Sequence, residues 1–251
     1  MAPTPPSPTA RLAADRGITL VEGERQAWPT LGQLIDDLPH HLAAVAAHHP
    51  GYGPVELRSL VQRRVATWLA YAGALPWVIE RRLPTLDPGS VRLRLGATGL
   101  PTAVAVDDPG RTGATDDPAE VATRVVGGLL DPLAVAAADG VRAGARLWAG
   151  NTGAALAAVA VVANGAVPVE RALDDVRALL GAAGLPADTV TLDVMRHRGA
   201  TAAYYRRKVC CLRLRADDGV CDTCSLRPAD ELEAMVREAI DRRLGTAARE
   251  R

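Results

Sequence analysis

The apolar positions of this 251-residue chain change period several times, and each change marks an element. Over 55–75, Leu57, Leu60, Val61, Val65, Trp68, Leu69 and Ala72 recur three and four apart, the spacing of one helix face. Pro76 and the RRLPTLDPG stretch predict its end. From Val91 the period becomes two. Val91, Leu93 and Leu95 alternate with Arg92 and Arg94, and the pattern resumes over 102–106 after a glycine-containing turn, which predicts a β-hairpin. Helical patterns also cover 29–49, before the turn HHPGYGP, and then 118–138, 147–163 and 169–180. Residues 107–117 read as a polar loop and 189–195 as a further strand.

The last helix has the clearest ends. Pro228 sits near its first turn, Asp230, Glu231 and Glu233 face the positive end of the dipole, and Arg242 and Arg243 precede Gly245. Leu232, Met235, Val236, Ala239, Ile240 and Leu244 form its apolar face. The pattern predicts an α+β fold, mostly helical, with a small antiparallel sheet and a carboxy-terminal cysteine-rich segment. Three regions follow: an extended or disordered Pro- and Thr-rich lead over 1–28, a main α+β domain over 29–200, and a carboxy-terminal segment over 201–251.

Composition narrows the function classes. Lys and Arg number 29 and Asp and Glu 29, so the net charge is zero, which argues against a nucleic-acid binder. The apolar run within 147–169 is about eleven residues, short of the roughly 20 needed to span a bilayer. A buried core helix and a cytoplasmic protein with reduced thiols are expected. No G-x-G-x-x-G or G-x-x-x-x-G-K-[ST] pattern offers a dinucleotide site.

The chemistry concentrates in RRKVCCLRLRADDGVCDTC, over 206–224, which holds all four cysteines: Cys210, Cys211, Cys221 and Cys224. Thiolates select zinc, copper(I) or iron–sulfur clusters, and Cys-x-x-Cys serves both zinc sites and clusters. The side-by-side pair is the discriminating half. Neighbouring side chains of an extended backbone point apart, so aiming both at one tetrahedral ion needs a kink, whereas a two-iron cluster offers two metal atoms. Arg206, Arg207, Lys208, Arg213 and Arg215 add five cations with no acid over 201–215. They read as a solvated basic face, or as groups that tune a cluster or contact an anionic substrate or donor. Among the histidines, His40, His41, His48 and His49 lack i, i+4 spacing and read as helix-end residues.

Cys-Cys, a spacer and Cys-x-x-Cys near the chain end, preceded by basic residues, resemble the siderophore-iron reductases of the FhuF type. RLWAGNTGAALA resembles that family's segment opening a small-residue helix, with Leu147, Trp148 and Asn151 as shared letters. Ala149 is an extra residue there, and the spacer between Cys211 and Cys221 is one residue shorter than in the family. The resemblance implies a [2Fe–2S] cluster on the four cysteines, ferric siderophore as substrate, and reduction to Fe(II) in the bacterial cytoplasm. Electrons would come from an external protein, a ferredoxin, flavodoxin or flavin reductase. Arg206, Arg207, Arg213 and Trp148 are the expected substrate or donor contacts. Peripheral association with the membrane is left open. A cluster-bearing electron carrier or iron sensor and a zinc-stabilised binding module are the alternatives.

Overall fold

Helices and strands come in separate runs along the chain in the computed structural model, which describes residues 7–15, 18–22, 27–107, 112–216 and 219–249. Helix α1 spans Pro8–Asp15 and strand β1 Leu20–Glu22. The helical pattern over 29–49 is two helices, α2 (Leu31–Asp36) and α3 (Leu38–Ala46). The break falls just before Pro39, which sits in the first turn of α3. A reciprocal Thr30–Gln33 capping box opens α2.

Helix α4 (Pro54–Glu80) runs through Pro76 to a left-handed cap at Arg81, whose φ is 56°. The expected stop at Pro76 is corrected by burial beyond it. Trp77 and Val78 are fully enclosed, and the Trp77 indole donates to Thr115 O at 3.1 Å. Enclosing a Trp and a Val is worth about as much as the roughly 3 kcal/mol cost of an internal proline.

Strands β2 (Arg82–Pro84), β3 (Val91–Leu95), β4 (Pro101–Val106) and β5 (Thr112–Ala114) follow. The hairpin expected over 91–106 is β3–β4, antiparallel with Val91 opposite Val106. Strand β1 adds in parallel on the other side of β4, so this sheet is mixed. Part of the expected polar loop is strand instead: β5 pairs antiparallel with β2, while 108–111 lie outside the described residues.

One continuous helix covers 118–138. It comprises α5 (Pro118–Val121), a π-helical stretch (Ala122–Leu130) and α6 (Asp131–Ala138). The wider π turns end where Pro132 removes an amide donor. Then come α7 (Ala145–Ala163), α8 (Val169–Ala182), β6 (Val190–His197), β7 (Ala200–Arg207), a 3₁₀ turn (Arg213–Ala216) and α9 (Ala229–Arg249). Helix α9 continues past Gly245, where the sequence predicted its end. Good helix formers after the glycine carry it on. The β6–β7 turn is the pair Arg198–Gly199, both at positive φ, as a two-residue hairpin loop requires.

The fold is α+β, 56% helical with small sheets. Its core lies between α4 and α7, with α8 and β7 closing over α7. By length and composition 118–138 and 145–163 could cross a membrane, but 78% of the second window is buried inside the fold, as expected of a core helix.

Two of the expected regional boundaries change. The β6–β7 hairpin straddles residue 200, so the carboxy-terminal segment shares a sheet with what precedes it. The amino-terminal lead is also structured where it is described. Ala13 is fully enclosed, β1 pairs with β4, and the Thr9 amide donates to Glu80 Oε1 at 2.9 Å, with the Thr9 hydroxyl on the same oxygen. Thr9→Val removes the hydroxyl bond to a carboxylate. It is expected to lower the unfolding free energy by about 1–3 kcal/mol in urea titration. An unfolded lead would give no change.

Candidate metal centre

The end of β7 delivers the chain to the cysteines. The Arg207 amide donates to Thr223 O at 2.9 Å and the Lys208 amide to Thr189 O at 2.9 Å, so the strand is tied to the Cys221–Cys224 turn as it ends. Cys211, Cys221 and Cys224 are buried together in one contact cluster. Cys210 is half-buried and outside that cluster, and its Sγ accepts the Leu212 amide at 3.3 Å. Leu212 has φ 65°, a left-handed conformation that costs a branched residue about 1–2 kcal/mol. This left-handed residue follows the Cys-Cys pair, and neither Cys210 nor Cys211 has a positive φ, so the kink that aiming both sulfurs at one ion would need is not seen between them. At the other end, the Leu226 amide donates to Cys224 Sγ at 3.4 Å, the same i+2 geometry. All four cysteines are free thiols.

A buried polar network holds this segment from beneath. Asn151, fully enclosed on α7, donates to Gln62 Oε1 at 2.7 Å and to Ser59 Oγ at 3.1 Å, both on α4. Its Oδ1 accepts from the Arg207 guanidinium. The Ser59 hydroxyl donates to Cys211 O at 3.0 Å, and Gln62 Nε2 donates to Trp148 O at 3.3 Å. Gly150 lets α7 approach the segment, since a Cβ there would stand 2.6 Å from Val209 Cβ.

Charge in this setting is one-sided. Arg207 is 2% exposed, and its guanidinium donates to Asn151 Oδ1 and, at 3.1 Å, to Val209 O. Among the described residues no carboxylate pairs with it. The Cys221 thiol is hydrogen-bonded to Cys211, which holds the Cys211 thiol well below the usual range, with burial opposing and Arg207 and Arg63 assisting. Cys221 is pushed up by that shared hydrogen bond, then by burial and by the neighbouring Cys211 and Cys224. The first proton therefore leaves the pair easily and the second reluctantly.

The expected contact residues land in different places. Arg207 is interior. Arg206 is a strut, donating to Ser225 O at 3.1 Å and Arg227 O at 2.7 Å. Trp148 is buried with Leu147 against Ala137, away from solvent. Arg213 is half-buried on the 3₁₀ turn, and its amide donates to Cys211. Asp217 and Asp218, and the side chain of Arg215, lie outside the described residues. His197 pairs with Asp241 at 3.1 Å, and among the described residues no group of three or more His, Cys, Asp or Glu side chains, the four cysteines included, is arranged to hold a metal ion.

Ser59, Gln62 and Arg227 escaped the sequence reading. Arg227 donates to Cys221 O at 3.4 Å and Val220 O at 3.2 Å while ion-paired to Glu231. Ser59 and Gln62, three apart beside the apolar stripe of α4, carried the one available signal.

The donor set has the chemistry of a thiophilic centre: four thiols within fifteen residues, three of them enclosed, amides directed at three sulfurs, and an interior cation beside them. No family model matches the chain, and none of the curated proteins does.

Gly150→Ala forces Val209 away from α7 and with it the start of the cysteine segment. Metal titration should show affinity lowered by about 10- to 100-fold, the usual effect of disturbing groups behind ligands. Gly181→Ala, where a Cβ meets nothing within 4 Å, should leave affinity unchanged.

Proposed function

We propose that the chain is a ferric-siderophore reductase of the bacterial cytoplasm that binds a [2Fe–2S] cluster through Cys210, Cys211, Cys221 and Cys224. The observation that carries the reading is the interior Arg207, whose partners among the described residues are neutral, beside three enclosed thiols. A buried ion without a counter-charge costs several kcal/mol. Thiolates held by a metal centre supply that charge. The side-by-side placement of Cys210 and Cys211 supports two irons over one zinc, because neighbouring side chains of an extended backbone point apart and a two-iron cluster offers two metal atoms.

When bound, such a cluster supplies single electrons at low potential. The chain's own residues fit that work. Leu212 and Leu226 direct amides at sulfur, which with Arg207 favours added negative charge. Leu147 and Trp148 close the α7 side of the segment against water. The substrate's Fe³⁺ is held by hard oxygen donors, which grip Fe²⁺ far less tightly, so one electron suffices for release. On this reading the electrons come from a separate protein, a ferredoxin, flavodoxin or flavin reductase, in keeping with a sequence that carries no dinucleotide pattern.

Anaerobically purified protein should be coloured, with two irons and two sulfides per chain and an EPR signal on reduction. A colourless protein with stoichiometric zinc overturns the cluster. Mixing the reduced protein with ferric siderophore should reoxidise it and yield trapped Fe²⁺. Reoxidation by other acceptors but never by ferric siderophores would favour an electron carrier instead. Cys221→Ser should abolish or destabilise the cluster while leaving the helical core folded.

A double-mutant cycle reads the Arg207 argument by the difference between two backgrounds. Arg207→Met should destabilise the metal-loaded protein by about 3–5 kcal/mol. In a Cys211→Ser, Cys221→Ser background, where that anion is gone, the same change should cost clearly less, because only the hydrogen bonds to Asn151 and Val209 are lost while an uncompensated charge is removed. Equal losses in both backgrounds would refute the pairing.

A further inference from the structure

Buried polar atoms without a partner are rare in a folded chain, and each one asks for an explanation. Seven side-chain atoms are in that position among the described residues. Three of them are N–H donors on residues in or beside the cysteine segment: Arg63 Nε, Trp148 Nε1 and Arg206 Nε. Trp148 packs with Leu212, and Arg206 donates to Ser225 O and Arg227 O. Arg63 stands one turn along α4 from Ser59, whose hydroxyl reaches Cys211 O at 3.0 Å. The segment is surrounded by donors and short of an acceptor.

Arg63 states the need most sharply. Trp148 is neutral, and Arg206 makes two other hydrogen bonds. The Arg63 guanidinium is a cation with neither a hydrogen bond nor an ion pair among the described residues, and its Nε is buried. Ser59, Gln62 and Arg63 share one face of α4, and the first two already hold Cys211 O and Asn151. Residues four apart on a helix keep their Cβ atoms about 5–6 Å apart, so an arginine one turn from Ser59 has the length to pass the Cys211 carbonyl toward its sulfur. Its charge is felt there. The Cys221 hydrogen bond does most to hold the Cys211 thiol low, and Arg207 and Arg63 add to it.

We infer that Arg63 is a positioning residue of the metal centre: its Nε–H donates to the sulfur of Cys211, or to a sulfide beside it, and raises the centre's reduction potential. The inference rests on the cluster reading and is independent of the substrate. Reduction by one electron adds a negative charge to the irons and sulfurs, and a cation with an N–H at short range favours that form. Arginine keeps its proton at any working pH, so the contribution is constant with pH. Arg207 acts differently, because Asn151 and Val209 already receive its N–H groups and its charge alone is left for the thiols.

Redox titration of the loaded chain without substrate, followed by absorption and EPR, reads this directly. Arg63→Met should lower the potential, so that at a fixed solution potential the ratio of reduced to oxidised centre falls about tenfold, which is about 59 mV for one electron. Arg63→Lys keeps the charge but not the fixed planar donor, and should show a smaller fall. Arg196→Met removes an exposed cation at the far end of the β6–β7 hairpin and should leave the potential unchanged. Pulsed EPR of the reduced protein exchanged into deuterium oxide should show a set of exchangeable couplings, one of which Arg63→Met removes.

A wild-type potential in Arg63→Met and Arg63→Lys, at wild-type iron content, overturns the inference. An equal shift in Arg196→Met overturns it too, because only net charge would matter. Weakened ferric-siderophore binding at an unmoved potential would make Arg63 a substrate contact, which also sinks it. If Arg63→Met fails to load iron, Arg63→Lys decides alone: a lowered potential supports the inference and a wild-type potential overturns it. A wild-type chain that loads no iron–sulfur cluster overturns the cluster reading, and this inference with it.

Discussion

A single hydrogen-bonded chain running from Arg207 through Asn151 to Ser59 and Gln62 joins the parts of this protein that matter to one another. It links the end of β7, the middle of α7, the face of α4 and the backbone of Cys211. Each donor and acceptor of the Asn151 amide has a partner. A buried network of this kind is rigid when complete and costly when broken. The cysteine segment itself has little regular structure beyond one 3₁₀ turn, so its shape is inherited from this network and from the two strand-end amides.

Small residues make that inheritance possible. Gly150 brings Val209 against α7, and Gly153 would place a Cβ 3.0 Å from Thr189 Oγ1. With these two positions at zero volume, α7 lies close under both the β6 entry and the cysteine entry. The largest helical contact, α4 with α7, anchors the helix from the opposite side. Rigidity around the thiols is therefore a property of the core rather than of the segment.

Much of the secondary structure was legible because it depends on neighbours in sequence. The β3–β4 hairpin, α7, α8 and β6 all follow local periodicity. What failed was decided by tertiary burial: α4 passes Pro76 because Trp77 is enclosed, and α1 folds because Glu80 receives Thr9. The site divides the same way. The thiols were visible as a cluster of letters, but their support bridges long separations, 152 residues from Ser59 to Cys211 and 56 from Arg207 to Asn151. Nothing local about Arg207 distinguishes it from Arg206 or Lys208, although only Arg207 is interior.

That placement explains the use of arginine and lysine here. The interior position needs a planar cation with several fixed donors, since it must reach Asn151 Oδ1 and Val209 O together, and a compact ammonium cannot span both. The chain's single lysine, Lys208, is the next residue and points to solvent, where strong hydration costs nothing. One short basic run thus carries two roles set by depth. The interior charge offsets anionic sulfur at short range and is little screened, while the exterior charges act through water and fade with salt. A net charge of zero over the whole chain is compatible with both, because what the thiols experience is set by the few groups within reach.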